Sequence, residues 1–316
     1  MPQARHLQEI IYPCCRIIYY SERYMQMNEY VIFTDSSCDL APEVLADWGV
    51  ESLSLTFRFN DSEKEYYNGD MDITDFYQKM RDGGVAKTSA VNTQAFKDAF
   101  EKILADGKDV LYIGFSSGLS TTCNSATAAA QMLCGDFPER KIITVDSLAA
   151  SAGLGLLVKL AVDKREAGES IEDVASYIEG LKLRLCHWFT VEDLVYLKRG
   201  GRVSPTVAFV GNMLGIKPVM HVDDEGHLVP VTKVRGRKIS IAALADKYTE
   251  LADPSVGRIF ISHGDCLKDA EYLASLIENK HGVKTEIITY VGSVIGAHSG
   301  PGTLALFFVS RDGAQR

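Results

Sequence analysis

Short apolar runs, each followed by a turn of hydroxyl and acidic residues and then by a helix-forming segment, recur through the first half of this chain. Tyr30-Val31-Ile32-Phe33 leads into Thr34-Asp35-Ser36-Ser37 and a helix start at Pro42. Val110-Leu111-Tyr112-Ile113 leads into the turn 114–122 and then into Ala126-Thr127-Ala128-Ala129-Ala130. Ile142-Ile143-Thr144-Val145 leads into Asp146-Ser147. Continuous apolar runs suit strands buried on both faces, and alternation of strand with helix makes their sheet parallel, with helices on either side. An α/β fold is therefore expected. In such sheets ligands sit at the carboxyl ends of the strands, where these Ser, Thr and Asp turns fall. Ser54-Leu55-Thr56-Phe57 alternates like a further strand, and 73–80 has helical spacing.

A second α/β region begins with the helical pattern 171–183, for which Ser170 is the expected cap. It follows a helix around Gly153-Leu154-Gly155-Leu156 with the charged tail Asp163-Lys164-Arg165-Glu166. The turn Asp223-Asp224-Glu225-Gly226 ahead of Leu228-Val229-Pro230-Val231 predicts a hairpin, and 258–261, 285–288 and 303–309 predict more strands. The chain thus divides into an N-terminal α/β domain over 28–167, parallel-sheeted and Rossmann-like, and a C-terminal mixed-sheet α/β domain over 168–316. Residues 1–27 lack clean periodicity and end beside Met25 and Met27, so they are expected to be an extension outside the fold, with Met27 the natural start.

A length of 316 residues accommodates two domains of ordinary size. The formal charge of -9 argues against a nucleic-acid partner, because binding a phosphate backbone relies on clustered Lys and Arg. Seven cysteines, an odd number with no C-x-x-C pair, read as reduced thiols of a cytoplasmic protein. Cys186-His187 is too small a fragment to close a metal site, and burial is the expected fate of both. No apolar run is long enough to span a bilayer, so no integral membrane segment is expected.

Three sets of residues could carry chemistry. The first is the hydroxyl-rich turn Ser116-Ser117-Gly118-Leu119-Ser120-Thr121-Thr122 at a helix start, joined by Asp35-Ser36-Ser37, Thr88-Ser89 and Asp146-Ser147 on one rim if their strands are parallel neighbours. Unpaired N–H groups and short hydroxyl donors at a helix start suit an anion, and without a Lys or Arg in the turn the anion is held by neutral donors. The second set is Gly296-Ala297-His298-Ser299-Gly300-Pro301-Gly302, where one imidazole stands among glycines. His227, by contrast, reads as a turn histidine without a role. The third is basic: Lys198-Arg199-Gly200-Gly201-Arg202-Val203-Ser204-Pro205, then Arg235, Arg237 and Lys238.

Gly114, Ser116 and Gly118 also spell G-x-S-x-G between strand and helix, the setting of a nucleophile elbow. A serine hydrolase would use Ser116 as nucleophile, His298 as base and Asp146 as acid. Against it, an upstream oxyanion loop of the His-Gly-Gly type is missing from the sequence.

Phe33-Thr34-Asp35-Ser36-Ser37, Thr88-Ser89, Ser116-Ser117-Gly118-Leu119-Ser120, Val145-Asp146-Ser147, Gly200-Gly201-Arg202-Val203-Ser204, Gly215-Ile216-Lys217-Pro218 and Ala297-His298-Ser299-Gly300-Pro301-Gly302 together resemble the DegV family. The resemblance keeps its order from about Glu29 to the last strand. It implies two α/β domains with a ligand tunnel between them, holding a long-chain fatty acid. It further implies a non-enzymatic, acyl-carrying subunit of a bacterial fatty acid kinase, needing no cofactor of its own. A separate ATP-dependent kinase subunit would make the acyl phosphate. Carried over residue by residue, the fatty acid carboxylate falls to Thr88, Ser120 and His298, with Ser89, Ser116, Ser117 and Gly118 as the supporting loop. Arg202 and Arg235 would face the kinase. Ala90-Val91 and Thr121 depart from the family's common Gln-Pro and Gly, which implies a different acyl-chain or partner preference. Burying an acyl chain contributes ~0.8 kcal/mol per methylene, so the head group needs no cation.

Overall fold

A computed structural model describes residues 29–203 and 215–312, so the expectations for 1–27 and for Ser204-Pro205 lie outside the described residues. Strands β1 (Tyr30–Asp35), β2 (Val50–Leu53), β6 (Asp109–Gly114) and β7 (Ile142–Asp146) form a parallel sheet in the order β2-β1-β6-β7. β6 is buried at every position, as a central strand covered on both faces must be. On one face Phe33 of β1 and Tyr112 of β6 meet Phe96 and Phe100 of the helix Thr93–Ala105, with Phe33 edge-on to Phe100 at 5.3 Å. The expected crossovers are thus present, and the turns after β1, β6 and β7 fall on one rim.

The expected strand 54–57 begins only at Thr56, with Ser54 and Leu55 forming a break between two sheets. β2 ends at Leu53, and β3 (Thr56–Phe59) turns away to pair antiparallel with β4 (Tyr66–Tyr67) and β5 (Ala86–Ser89). Side-chain hydrogen bonds take the place of the ladder at the break. The Leu55 N–H donates to Ser36 Oγ at 3.0 Å, and Ser54 Oγ donates to the Leu55 carbonyl at 2.9 Å. Thr88 therefore reaches the rim from this small sheet and not from the parallel one.

The second half builds a six-stranded sheet, β10-β9-β8-β13-β11-β12, from β8 (Leu185–Thr190), β9 (Ile216–Val222), β10 (Leu228–Arg235), β11 (Phe260–His263), β12 (Ile287–Tyr290) and β13 (Leu304–Val309). Only β11 and β12 pair parallel within it. The predicted hairpin is β9–β10, with its register shifting between Pro230 and Thr232, where proline has no N–H for the ladder. Ser170 caps the helix Ile171–Leu181 as expected, accepting from the Asp173 N–H at 3.2 Å. Lys182–Arg184 then tightens to a 3-10 turn in place of the continued helix. Cys186 and His187 lie buried in β8.

Between the two large sheets lies the helix Ala152–Glu166, apolar on nearly all sides and buried from Ala152 through Val158. A helical segment apolar all round, as this one is from Ala152 to Val158, has to be enclosed, and the helix touches β1 and β6 on one side and β8, β11 and β13 on the other. Its glycines permit the approach. A Cβ on Gly153 would stand 2.6 Å from Phe307 Cδ1, and one on Gly155 3.0 Å from the Leu40 side chain. The three-stranded sheet and the helix Ile73–Arg81 pack through Phe57, Phe59, Phe76 and Tyr77 onto Ala297 of the helix Ser293–Ser299. Tyr77 OH also donates to the Val291 carbonyl at 2.7 Å.

Gly153→Ala is expected to lower stability by about 1–3 kcal/mol, the usual cost of overfilling a packed interior. Urea unfolding should show a lower midpoint at unchanged slope; an unchanged midpoint would mean that the sheets are not held at the spacing this helix imposes.

Candidate functional site

The rim turns are fixed by buried polar contacts before any ligand is considered. Asp35, fully buried at the end of β1, accepts from Tyr112 OH at 2.7 Å, from the Phe115 N–H at 3.0 Å and from the Ser37 N–H at 3.0 Å. Burial pushes its carboxyl pKa up while those donors pull it down. The result is a fixed turn after β6. Asp146, ending β7, accepts from the N–H groups of Ser117 at 3.2 Å and Leu148 at 3.1 Å.

Ser116 is wholly buried and its hydroxyl is committed. It donates to the Gly226 carbonyl at 2.9 Å and accepts from the Gly118 N–H at 3.2 Å, which ties the turn to the tip of the β9–β10 hairpin. Gly118 is needed for that approach, since a Cβ there would lie 2.7 Å from the Glu225 carbonyl oxygen. Gly226, at φ +80°, has its own hypothetical Cβ 2.1 Å from Ser116 Oγ. The serine-hydrolase reading finds no support: Ser116 is closed to a substrate, its hydroxyl bonds backbone, and Asp146 is engaged by amides.

Above this turn lies a cavity of about 560 Å³, walled by the rim, by β5 and by one face of the six-stranded sheet. Leu55, Phe115, Leu119, Phe189, Leu197 and Val294 give it an apolar surface. Thr88, Ser120 and His298 all line it, although they come from three separate elements. Thr88 Oγ1 stands 2.8 Å from His298 Nε2. Ser120 Oγ is 2.9 Å from Thr122 Oγ1 and accepts from the Thr122 N–H at 3.3 Å, at the start of the helix Thr122–Leu133.

Of the other residues singled out, Ser117 and Gly118 line the cavity as well, whereas Ser89 does not. Alternation along the extended end of β5 gives Thr88, and Ala90 just beyond the strand, to the cavity and leaves Ser89 exposed outside it. Arg202 lines the cavity and donates to the Leu119 carbonyl from Nε at 3.3 Å and from Nη2 at 3.2 Å, and from Nη1 to the Gly200 carbonyl. Arg235 sits exposed on the edge strand β10, outside the cavity lining. His227 does line it, from the hairpin tip, with Nδ1 3.6 Å from Glu225 Oε2. Sequence reading gave this histidine no role because only the hairpin's crossing to the other sheet brings it there.

His298 is held neutral. Burial, and then the nearby Arg202 charge, push its pKa down to about 4. Its Nδ1 has no hydrogen-bond partner among the described residues, and Gly200 passes so close that a Cβ would be 2.2 Å from that atom. Among the described residues no group of His, Cys, Asp or Glu is placed to hold a metal ion, and no helix is long and apolar enough to cross a membrane.

The architecture is α/β, with a mostly apolar cavity between two sheets that carries hydroxyls and imidazoles on its wall. The chain belongs to the DegV family, whose model matches residues 29–311. A DegV domain-containing protein of Clostridium perfringens is 42% identical over 286 residues, covering 90% of this chain and 98% of that protein. A fatty acid-binding protein of Thermotoga maritima is 34% identical, over 86% of this chain and 95% of that one. Among solved structures, a stearic acid-binding protein of Eubacterium ventriosum superposes with a TM-score of 0.81 at 26% identity, over 89% of this chain and 98% of that one.

Between pH 6.5 and about 4 the unfolded chain protonates this imidazole and the folded chain does not, so His298 contributes stability that is lost as pH falls through that window. Imidazole NMR shifts of the ligand-free protein should show His298 neutral from about pH 8 down to about pH 5. A titration midpoint at or above the ordinary histidine value would contradict the desolvated site.

Proposed function

We propose that this protein holds a long-chain fatty acid, with the carboxylate on Thr88, Ser120 and His298 and the acyl chain in the apolar part of the cavity. The observation that carries the reading is the Thr88–His298 contact at 2.8 Å on the wall of a 560 Å³ cavity that also receives Ser120. That volume lies within the roughly 300–1,000 Å³ usual for small-molecule sites. The relatives described as fatty acid-binding support the same ligand class.

The tautomer decides how the head group is held. With the proton on Nε2, the imidazole donates to Thr88 Oγ1, and the Thr88 hydroxyl hydrogen is free to point at a carboxylate oxygen. With Thr122 Oγ1 as the donor in its contact with Ser120, the Ser120 oxygen accepts both the hydroxyl and the N–H of Thr122 and keeps its own hydrogen for the same carboxylate. Two hydroxyl donors and a helix start thus hold the anion without an ion pair, and His298 takes part through Thr88, whose hydroxyl it orients. Held this way it can be passed on.

The protein then acts as an acyl carrier and not as an enzyme itself. A separate ATP-dependent kinase subunit would phosphorylate the bound carboxylate, with Arg202 at the cavity wall and Arg235 on the exposed hairpin edge facing that partner. This role extends the family resemblance.

Native mass spectrometry of protein purified from cells should show a co-purifying long-chain acid. Thr88→Ala, Ser120→Ala and His298→Ala should each weaken fatty acid binding about tenfold or more, as expected for hydrogen bonds to a charged group, and leave the circular dichroism spectrum unchanged. Acyl phosphate formation with the partner kinase and ATP should be lost in Ser120→Ala and His298→Ala. Undiminished binding and phosphorylation in both variants would refute the assignment.

A further inference from the structure

The helix bearing His298 meets the end of the helix Val195–Arg199 by an exchange of rings. A Cβ on Gly200 would stand 2.2 Å from His298 Nδ1 and 3.0 Å from its Cγ, and one on Gly300 would stand 2.3 Å from Tyr196 Cδ2. Each helix therefore ends in a glycine against which the other lays a ring, the imidazole on Gly200 and the phenol on Gly300. The imidazole occupies a gap that exists only because residue 200 has no side chain.

Gly200 and Gly201 are needed for different reasons. Gly201 takes φ +71°, and the N–H groups of Arg202 and Gly201 donate to the carbonyls of Leu197 and Lys198, each at 3.0 Å, as in a helix closed by a left-handed residue. Gly200 keeps a right-handed helical backbone at φ -72° and ψ -13°, so it is the nearness of His298 that excludes a side chain there. Its N–H is already given to the Tyr196 carbonyl at 2.9 Å, and its carbonyl accepts from Arg202 Nη1.

A neutral imidazole carries one proton, on one of its two nitrogens. On Nδ1 that proton would be buried against Gly200, where no acceptor among the described residues receives it, and it would add positive charge beside a ring on which the Arg202 charge already acts. On Nε2 it is received by Thr88 Oγ1 at 2.8 Å, and Nδ1 is left as a lone pair, the better match to a nearby cation.

We propose that Gly200 is a positioning residue: by seating His298 with Nδ1 toward the turn, it fixes the imidazole proton on Nε2 and so leaves the Thr88 hydroxyl hydrogen for the ligand carboxylate. This rests on the fatty acid reading above. With the other tautomer Thr88 would donate to Nε2 and turn only lone pairs toward an anion. The turn that carries Arg202 thus decides whether Thr88 gives or accepts at the head group.

Long-range 1H–15N correlations of the full-length, ligand-free protein at about pH 7 should show His298 protonated at Nε2 and bare at Nδ1. Gly200→Ala should displace the ring, populate the Nδ1 tautomer and weaken octadecanoic acid binding about tenfold, the worth of one hydrogen bond to a charged group. In a His298→Ala background the Cβ has room, so the same substitution should change binding there by less than about twofold. Should Gly200→Ala alone fail to fold, the variant carrying both substitutions should still fold, and its failure would overturn the proposal. A wild-type proton on Nδ1, or equal weakening by Gly200→Ala with and without the imidazole, overturns it too and leaves the fatty acid reading standing. Octadecanoic acid that does not bind the wild-type protein overturns the fatty acid reading instead, and the tautomer then reports on the seating alone.

Discussion

The enclosure of the helix Ala152–Glu166 between two sheets is the constraint from which the rest of the architecture follows. From Ala152 to Val158 the helix is apolar in every direction, so that half cannot lie on a surface, and each large sheet must contribute a wall. One apolar core consequently runs from Ile32 and Leu111 of the parallel sheet to Phe189 and Phe307 of the mixed one. The same helix explains where the space for a ligand lies. Ala150 and Ser151, at its N-terminal end, line the cavity, so the sheets diverge from the helix where the strand-end turns begin.

Electrostatics in that space are set by what is withheld. Arg202 is the cation on the wall, but its guanidinium is directed to the carbonyls of Leu119 and Gly200, and burial lowers its pKa. Burial keeps His298 unprotonated, and the Arg202 charge adds to that effect. A protonated imidazole would hold a carboxylate as an ion pair in a low-dielectric setting, and release would then carry a large desolvated-charge penalty. For the proposed fatty acid, neutral donors would give a weaker hold on the head group, and burial of the acyl chain would supply the remainder of the affinity.

Much of this was legible in the residues, and what was not has identifiable causes. β1, β6 and β7 declare themselves because buried parallel strands need continuous apolar runs, and their turns declare a binding rim because hydroxyl and acidic residues cluster after each run. β8 was missed although every residue of Leu185–Thr190 is buried, since His187 interrupts its short apolar run. The helices Arg237–Leu251 and Leu267–His281 were missed as well, the first carrying Thr and Lys among its apolar residues without a clear stripe. Within the site, Thr88, Ser120 and His298 were assigned through the family resemblance. Their convergence depends on β3 leaving the parallel sheet, and nothing local between Ser54 and Phe57 announces that two side-chain hydrogen bonds will end one strand and redirect the next. Ser151 and His227 carried no local signal at all. Each is an ordinary polar residue until a distant segment crosses it.

That dependence on distant segments has a consequence for how the site behaves. Thr88 belongs to the small sheet and His298 to the helix Ser293–Ser299, and these two elements already share an apolar contact through Phe76, Tyr77 and Ala297. The turn bearing Ser120 is tied independently to the hairpin tip through Ser116 and Gly226. A carboxylate bonded to Thr88 and Ser120 together would therefore add a bridge between the small sheet and the parallel one, beside the Ser54-Leu55 break and the Asn68 Nδ2 bond to the Ser36 carbonyl at 3.1 Å. Anything that binds only when these elements are assembled stabilises the assembly by its own binding free energy. Ligand and fold are coupled because the donors are spread over the chain, and a site built on one loop would hold the same carboxylate without feeling the packing of either sheet.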